Sequence, residues 1–121
     1  MVTKNEIFDY ISRNLDCYCT RYYEVVPKQM PCVYVRFSWS PVRRNITLDM
    51  DDEQTRAYVY IEVFGQGIGD LVSEVEGIMK DIHFVEELAE DVQNFDPSYE
   101  RVSMRFMRVL TGGNTLQENE T

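Results

Sequence analysis

Two segments of alternating side chains, separated by a charged tract, constrain the fold of this chain more than any other feature. The segments are CVYVRFSWS at residues 32–40 and RAYVYIEVF at residues 56–64. Strict alternation of apolar and polar positions is typical of a β-strand with one buried face. The predicted core faces carry Val33, Val35, Phe37 and Trp39 on the first strand and Ala57, Val59, Ile61 and Val63 on the second. Because one connection joins the strands, we predict that they pair as an antiparallel hairpin. The opposite faces also carry large side chains, which allows for a covering layer on that side.

The connection between the strands is long for a hairpin loop and strongly charged. Pro41 predicts the end of the first strand, and Ile46 and Leu48 would let the pairing resume further out. The charges at its two ends have opposite signs: Arg43 and Arg44 at one end, and Asp49, Asp51, Asp52 and Glu53 at the other. Long ordered loops tend to be functional. We therefore predict a projecting hairpin arm whose charged residues contact another subunit or a partner. The alternative is a solvated loop whose charges keep a strand edge from pairing.

Helix signals flank the hairpin on both sides. Thr3 and Glu6 match the capping box S/T-x-x-E and predict an amphipathic helix from about Lys4 to Asn14 or Leu15. The segment DLVSEVEGIMKDI, residues 70–82, has an apolar stripe at helical spacing and predicts a second helix.

Three further segments complete the element order. CYCTRYYEVV, residues 17–26, and ERVSMRFMRVL, residues 100–110, have the composition of strands. HFVEELAEDVQNF, residues 83–95, fits either a helix or a strand, because Phe84, Leu88 and Val92 are four residues apart. Local propensity favours the helix for this segment.

The element order predicts an α+β fold. We expect an antiparallel β-sheet with a long projecting hairpin, flanked by two or three α-helices. One domain should span residues 1–110, and residues 111–121 should form a flexible C-terminal tail because they have little to bury.

The charge balance argues against general nucleic-acid binding. The chain has 21 acidic residues against 12 lysines and arginines, a net charge of -9. Affinity for phosphate needs clustered positive charge. No apolar run is long enough to span a bilayer, and the N-terminus lacks a secretory signal, so we expect a soluble protein without membrane contact.

No residue pattern predicts an enzyme, a cofactor or a metal site. Cys17, Cys19, Cys32 and the single histidine, His83, do not have the spacing of a zinc site. We expect free thiols in a reducing compartment and small, half-buried cysteine side chains. The glycines of GQGIG, residues 65–69, lack the lysine and serine or threonine of a phosphate loop, and Asp70 follows them. They predict a strand-to-helix turn.

The chain resembles the tail terminator (tail completion) proteins of long-tailed bacteriophages. The resemblance covers most of residues 3–110 and lies in element order, length and texture. It rests on a short N-terminal helix, an aromatic strand ending in VVPK, the strand CVYVRF, the charged arm, the strand YVYIEVFG, a helix, and a closing strand with DPSYERVSMRFMRVL.

The resemblance implies a non-enzymatic virion protein that forms a ring of six subunits. The ring would cap the tail tube, stop its polymerisation and provide the docking surface for the head. Its partners would be further copies of the chain, the tail tube protein and a head-completion or neck protein, and it would assemble in the host cytoplasm. DNA would pass through the lumen without specific binding, and the acid excess would repel phosphate. The resemblance also favours an extended strand at about residues 85–95.

Two other functions remain as alternatives. The first is a head-tail connector or stopper protein of the phage neck, which belongs to the same broad class. The second, from a different class, is a small acidic inhibitor that mimics DNA, although its acids would be expected in phosphate-like rows.

Overall fold

The structure is a computed structural model that describes residues 3–24, 27–42, 54–92 and 97–111. Its elements are, in chain order, α1 (Lys4–Arg13), β1 (Tyr18–Thr20), β2 (Cys32–Val42), β3 (Gln54–Gly65), α2 (Gly69–Asp81), β4 (Val85–Asp91) and β5 (Glu100–Thr111). The strands form one five-stranded sheet in the order β1-β2-β3-β5-β4. The predicted α+β class is therefore confirmed.

The sheet is mixed, whereas the sequence predicted an antiparallel one. The pairs β2–β3, β3–β5 and β4–β5 are antiparallel, but β1 runs parallel to β2, with Tyr18 opposite Cys32. A parallel pair requires a connection that returns the chain to the starting end. The chain therefore returns between Thr20 and Cys32, before β2 begins. The Thr20 hydroxyl accepts a hydrogen bond from the Tyr22 N–H at 3.0 Å, a local turn that ends the strand.

The capping box and the N-terminal helix are confirmed. The Glu6 N–H donates to Thr3 Oγ1 at 3.0 Å, and the Thr3 N–H donates to Glu6 Oε1 at 2.9 Å. These bonds satisfy two backbone donors that the first helical turn would otherwise leave free. Ile7 and Ile11 are buried and attach α1 to the sheet.

The alternation of the two long strands is also confirmed. Val33, Val35, Ala57, Val59, Ile61 and Val63 are fully buried, and Met104 and Phe106 of β5 join them. Ile7, Ile11 and Leu15 at α1 and Val75, Ile78 and Met79 from α2 pack on this side of the sheet. Truncating a side chain as well buried as Ile61 to alanine costs about 2–5 kcal/mol.

The sequence-based prediction that β2 ends at Pro41 is wrong. The strand continues to Val42, and Pro41 is opposite Thr55 of β3. Proline is tolerated at a sheet edge because its missing N–H is not needed there. β1 pairs with β2 only over Cys32 to Tyr34, so β2 is an edge strand at Pro41.

The ambiguous segment after α2 is a strand, as the family resemblance indicated and against its local helix propensity. β4 pairs with β5, and the register shifts between Glu86 and Leu88, which leaves Glu87 as the extra residue of a β-bulge. All seven side chains of β4 are exposed. Backbone pairing to β5 and the buried ring of Phe84 just before the strand therefore outweigh propensity.

His83 ends α2 in a left-handed conformation with φ of 68°. The His83 N–H donates to the Lys80 carbonyl at 2.9 Å, and the Phe84 N–H donates to the Met79 carbonyl at 3.0 Å. These two bonds define a Schellman motif, in which glycine is the usual residue at the His83 position. The single histidine is thus an exposed helix-cap residue.

We predict that His83→Gly stabilises the fold by about 0.5–1 kcal/mol. Glycine adopts positive φ without the Cβ clash, and this gain exceeds the cost of the greater conformational entropy of glycine in the unfolded chain. Urea unfolding at neutral pH measures the change. His83→Ala is the matched control, since it removes the imidazole but keeps the strained backbone. Equal stabilisation by both variants would contradict the backbone explanation.

Candidate functional site

Both described helices pack on one face of the sheet and leave the other face uncovered. We call the uncovered side the open face, and define it by the outward side chains of β2, β3 and β5. These are Tyr34, Arg36, Ser38, Arg56, Tyr58, Tyr60, Glu62, Phe64, Arg101, Ser103, Arg105 and Met107. Among the described residues, the covering layer that the sequence allowed for is formed at the Phe64 end alone, where Tyr99 lies 6.3 Å from Phe64 and Tyr23 lies 5.6 Å from Tyr34, centroid to centroid.

Tyrosines and arginines form a contiguous array at the centre of the open face. The Arg36 guanidinium lies 4.0 Å from the centroid of the Tyr60 ring. The rings of Tyr58 and Tyr60 stack with centroids 6.3 Å apart, and the Arg105 guanidinium lies 6.0 Å from the Tyr58 centroid. Strand register produces this array, because Arg36 is opposite Tyr60 and Tyr60 is opposite Arg105. Such cation–π contacts hold long side chains flat against the sheet.

Two of the four arginines on the open face are neutralised within the chain. Arg101 forms a bidentate pair with Glu62, with N–O distances of 3.0 and 3.1 Å, and this pairing raises the pKa of Arg101. Arg105 Nε lies 3.0 Å from Glu87 Oε1, an ion pair whose N–H direction is unsuited to a hydrogen bond. Within the described ranges, no carboxylate forms an ion pair with Arg36 or Arg56, and both are exposed. The open face therefore keeps a positive charge available for a partner.

The helix α2, on the covered side of the sheet, and the edge strand β4 are acidic, and within β4 Glu87 and Glu90 lie on the open-face side. α2 and β4 carry the acids Asp70, Glu74, Glu76, Asp81, Glu86, Glu87, Glu90 and Asp91, with Lys80 as the one cation in these two elements. Asp70, Glu74 and Asp81 are exposed and follow one another at spacings of four and seven residues, which places them along one stripe of the helix. We call these three residues the acidic stripe.

Glu76 of α2 and Glu86 of β4 share a hydrogen bond between their carboxyl groups. Burial, the hydrogen bond and the negative charge of Glu76 raise the pKa of Glu86 to about 7. Glu86 therefore keeps its proton to a pH well above the ordinary range of glutamate. The contact links the edge strand to the helix.

The glycine-rich turn holds a carboxylate of its own chain. The Gly67 N–H donates to Glu100 Oε1 at 2.9 Å, and Gln66 Nε2 donates to the Ser98 carbonyl at 2.7 Å. Gly67 has φ of 61°, and a Cβ on Gly65 would lie 3.0 Å from Ile68 Cγ2. The glycines are thus required by the turn geometry and by close packing, and the turn connects β3 to α2.

The three cysteines are free and differ in exposure. Cys17 and Cys19 are half-buried and Cys32 is buried. A hydrogen bond with the Cys19 side chain lowers the pKa of Cys17, although burial and nearby acids oppose this. Burial and then the charge of Glu24 raise the pKa of Cys32 to about 12. Over the described part of the chain, no group of three or more His, Cys, Asp and Glu side chains is placed to hold a metal ion.

A cleft of about 400 Å³ lies between α1 and the end of α2. Its walls carry acids and cations together: Glu6, Asp9, Arg13, Asp81, His83 and Arg108. Arg108 Nη1 donates to the Ile82 carbonyl at 3.1 Å, so this arginine supports the helix end. Because the charges are mixed and Arg108 has a structural role, the described residues of the cleft do not indicate a particular ligand or reaction.

The six residues that the sequence singled out, Arg43, Arg44, Asp49, Asp51, Asp52 and Glu53, lie outside the described residues. Their predicted contacts with a partner stay a prediction. Sequence reasoning did not single out the open face. The signal was present, since Arg36, Tyr58 and Tyr60 occupy the positions that alternate with the core residues.

No protein-family model matches the chain, and no curated protein sequence matches it. Across the described ranges, neither helix has the length and apolar character needed to cross a bilayer.

We predict that the Glu76–Glu86 contact makes stability fall as pH rises. The folded-state pKa of Glu86, about 7, lies above the ordinary value of 4.5, so its stabilising contribution is present below pH 4.5 and is lost toward pH 7. Glu86→Gln keeps a neutral hydrogen-bonding group and should flatten this part of the profile. Urea unfolding over a pH series tests it. Glu90→Gln removes a carboxylate from the same strand as a control, and an unchanged profile in Glu86→Gln would contradict the assignment.

We also predict that Cys17 is alkylated first and Cys32 last. The thiolate is the reactive form, and Cys17 combines a lowered pKa with partial exposure, whereas Cys32 is 1% exposed. Timed iodoacetamide labelling of the native protein, followed by peptide mass spectrometry, gives the order. Labelling in urea is the control, since unfolding should remove the protection of Cys32. Early modification of native Cys32 would contradict the described packing.

Proposed function

We propose that the protein is a non-enzymatic structural protein of the bacteriophage neck, a tail terminator that forms a homohexameric ring on the end of the tail tube. The ring would stop tube polymerisation and provide the surface on which the head docks. Its site of action would be the virion, after assembly in the host cytoplasm.

The open face is the observation that carries this proposal. It is a broad sheet surface that neither described helix covers, and it displays tyrosines and arginines, the residue types enriched at the energetic centres of protein interfaces. A domain that functioned alone would have little reason to order such side chains toward water. A ring subunit needs two different contact surfaces, because head-to-tail contacts generate rings.

The charged tract between β2 and β3 supplies the second part of the proposal. β2 and β3 remain paired up to Val42 and Gln54, and residues 43–53 connect them. We propose that this connection is the projecting hairpin arm, and that Arg43, Arg44, Asp49, Asp51, Asp52 and Glu53 fix the register of subunit contacts. The net charge of -9 is compatible with a lumen that repels passing DNA.

A second function is supported by the acidity of α2 and β4. Eight acids and one lysine in two adjacent elements would suit a small inhibitor that mimics DNA and binds a basic enzyme. Such an inhibitor would act as a monomer or dimer. The connector or stopper alternative would also form a ring, but it would bind the portal side of the neck.

We predict that the purified protein limits the length of polymerising tail tubes. Added to the cognate tail tube protein, it should give short tubes with a ring at one end in negative-stain electron microscopy, because a cap blocks further addition. Its mass in light scattering across a concentration series should show whether the ring forms before it meets a tube. Protein that neither binds nor shortens tubes would contradict the terminator assignment.

The arm provides a matched control for the same assay. Arg43→Glu combined with Arg44→Glu should weaken capping, whereas Lys28→Glu changes charge by the same amount per site away from the arm and should cap normally. Binding to portal-side neck protein without tube capping would identify the connector. A stable monomer that binds a basic DNA-acting enzyme would identify the inhibitor.

A further inference from the structure

We infer that the open face docks the acidic stripe of a second copy of the same chain. This inference rests on the proposed ring and names its contact: Arg36 and Arg56 of one subunit against Asp70, Glu74 and Asp81 of the next. Tyr58 and Tyr60 would form the apolar centre of that contact.

Charge segregation is the first support. The chain has a net charge of -9, yet four of its arginines lie on the open face, where Glu62 and Glu87 neutralise only Arg101 and Arg105. The acids of α2 lie on the other side of the sheet, where Lys80 is the one cation within the helix, and Arg13 and Arg108 lie near Asp81 in the cleft at its end. One molecule therefore carries two complementary surfaces. Complementary potentials favour association and select its orientation.

Spacing is the second support. Arg56 pairs with Ser40, four residues along β2 from Arg36, so the two arginines are about 14 Å apart at the backbone. On α2, Glu74 and Asp81 are about 10 Å apart and Asp70 and Asp81 about 16 Å apart along the helix axis. The separation of the two arginines therefore lies between the two distances that the acidic stripe offers. Long arginine side chains can adjust the remaining difference.

The open face is also large enough. Three strands of 11 or 12 residues cover about 500 Å² in plan at ordinary strand spacing. This is more than half of the roughly 800 Å² per partner in a standard interface. The central tyrosines are held by Arg36 and Arg105, so little side-chain freedom remains to be lost on docking.

The two surfaces lie on opposite sides of the sheet, so the contact is head-to-tail. A symmetric contact of open face with open face would bring Arg36 and Arg56 close to the same positive charges in the partner. Nucleic acid is the less favoured occupant, since two of the four arginines are already paired and the chain as a whole repels phosphate.

The test uses two full-length variants with the contact broken on opposite sides. The face variant is Arg36→Glu with Arg56→Glu, and the stripe variant is Glu74→Lys with Asp81→Lys. All four residues are exposed, and none of them has an ion-pair partner in the described part of the chain. Circular dichroism and thermal unfolding should show that both variants fold. Lys28→Glu is the charge control, because this lysine is exposed and belongs to neither the open face nor the acidic stripe.

Sedimentation velocity at low salt gives the result. The wild-type protein should self-associate, less so at high salt, and each variant should associate at least about tenfold more weakly. An equimolar mixture of the two variants should associate again and grow beyond a dimer, because the intact face can bind the intact stripe and the reversed face can bind the reversed stripe. The protein with all four changes should associate again, since the charges are exchanged.

Several outcomes would overturn the inference. One is that the wild-type protein stays monomeric at about 1 mM, a concentration at which a dissociation constant in the millimolar range would already give detectable association. Another is that the stripe variant associates as strongly as the wild type. Binding of a fluorescent single-stranded oligonucleotide, lost in the face variant and without self-association, would assign the face to nucleic acid instead.

Tube capping distinguishes failure of this inference from failure of the proposed function. If the face variant caps tubes as strongly as the wild type, only the inferred subunit contact is contradicted. If the variants mix as expected but the protein does not cap tubes, only the proposed terminator function is contradicted.

Discussion

The pairing of β3 with both of its neighbours is the constraint on which the rest of the structure depends. β3 pairs with β5 along its whole length, from Gln54 to Gly65, and with β2 from Gln54 to Phe64. Ala57, Val59, Ile61 and Val63 are fully buried on one of its faces. A slip by one residue would move Tyr58 and Tyr60 into the core and the valines into water. The register that buries the core therefore also builds the tyrosine and arginine array.

Local signals predicted the elements whose residues decide their own conformation. The capping box at Thr3 and the alternation of β2 and β3 needed no information from elsewhere in the chain. Three features depended on the rest of the sheet. Pro41 is tolerated because β1 is too short to reach it, and β1 is parallel because the chain returns between Thr20 and Cys32. The helix-prone segment VEELAED is a strand because β5 offers an unpaired edge.

The sequence could predict which residues lie on the open face, but not which of them form ion pairs with one another. Alternation alone places Arg36, Tyr58 and Tyr60 away from the core. The pairing of Glu62 with Arg101 joins residues 39 positions apart, and no local pattern reveals which residue of β5 meets Glu62. The sequence therefore could not tell which arginines keep their charge for a partner. It pointed instead to the arm, whose charges are contiguous in the chain and so easier to notice.

Net charge is a poor guide to the surface chemistry of this protein, because the sheet separates the charges. The acids of β4 and its bulge at Glu87 disfavour pairing of another strand along that edge, a common way to prevent aggregation. This edge is therefore a poor site for association, and the two faces of the sheet offer surfaces of opposite charge instead. The open face and the acidic stripe then differ in sign and lie on opposite sides of one rigid sheet. In the proposed head-to-tail contact, each added copy would leave one surface of each kind unoccupied until a ring closes.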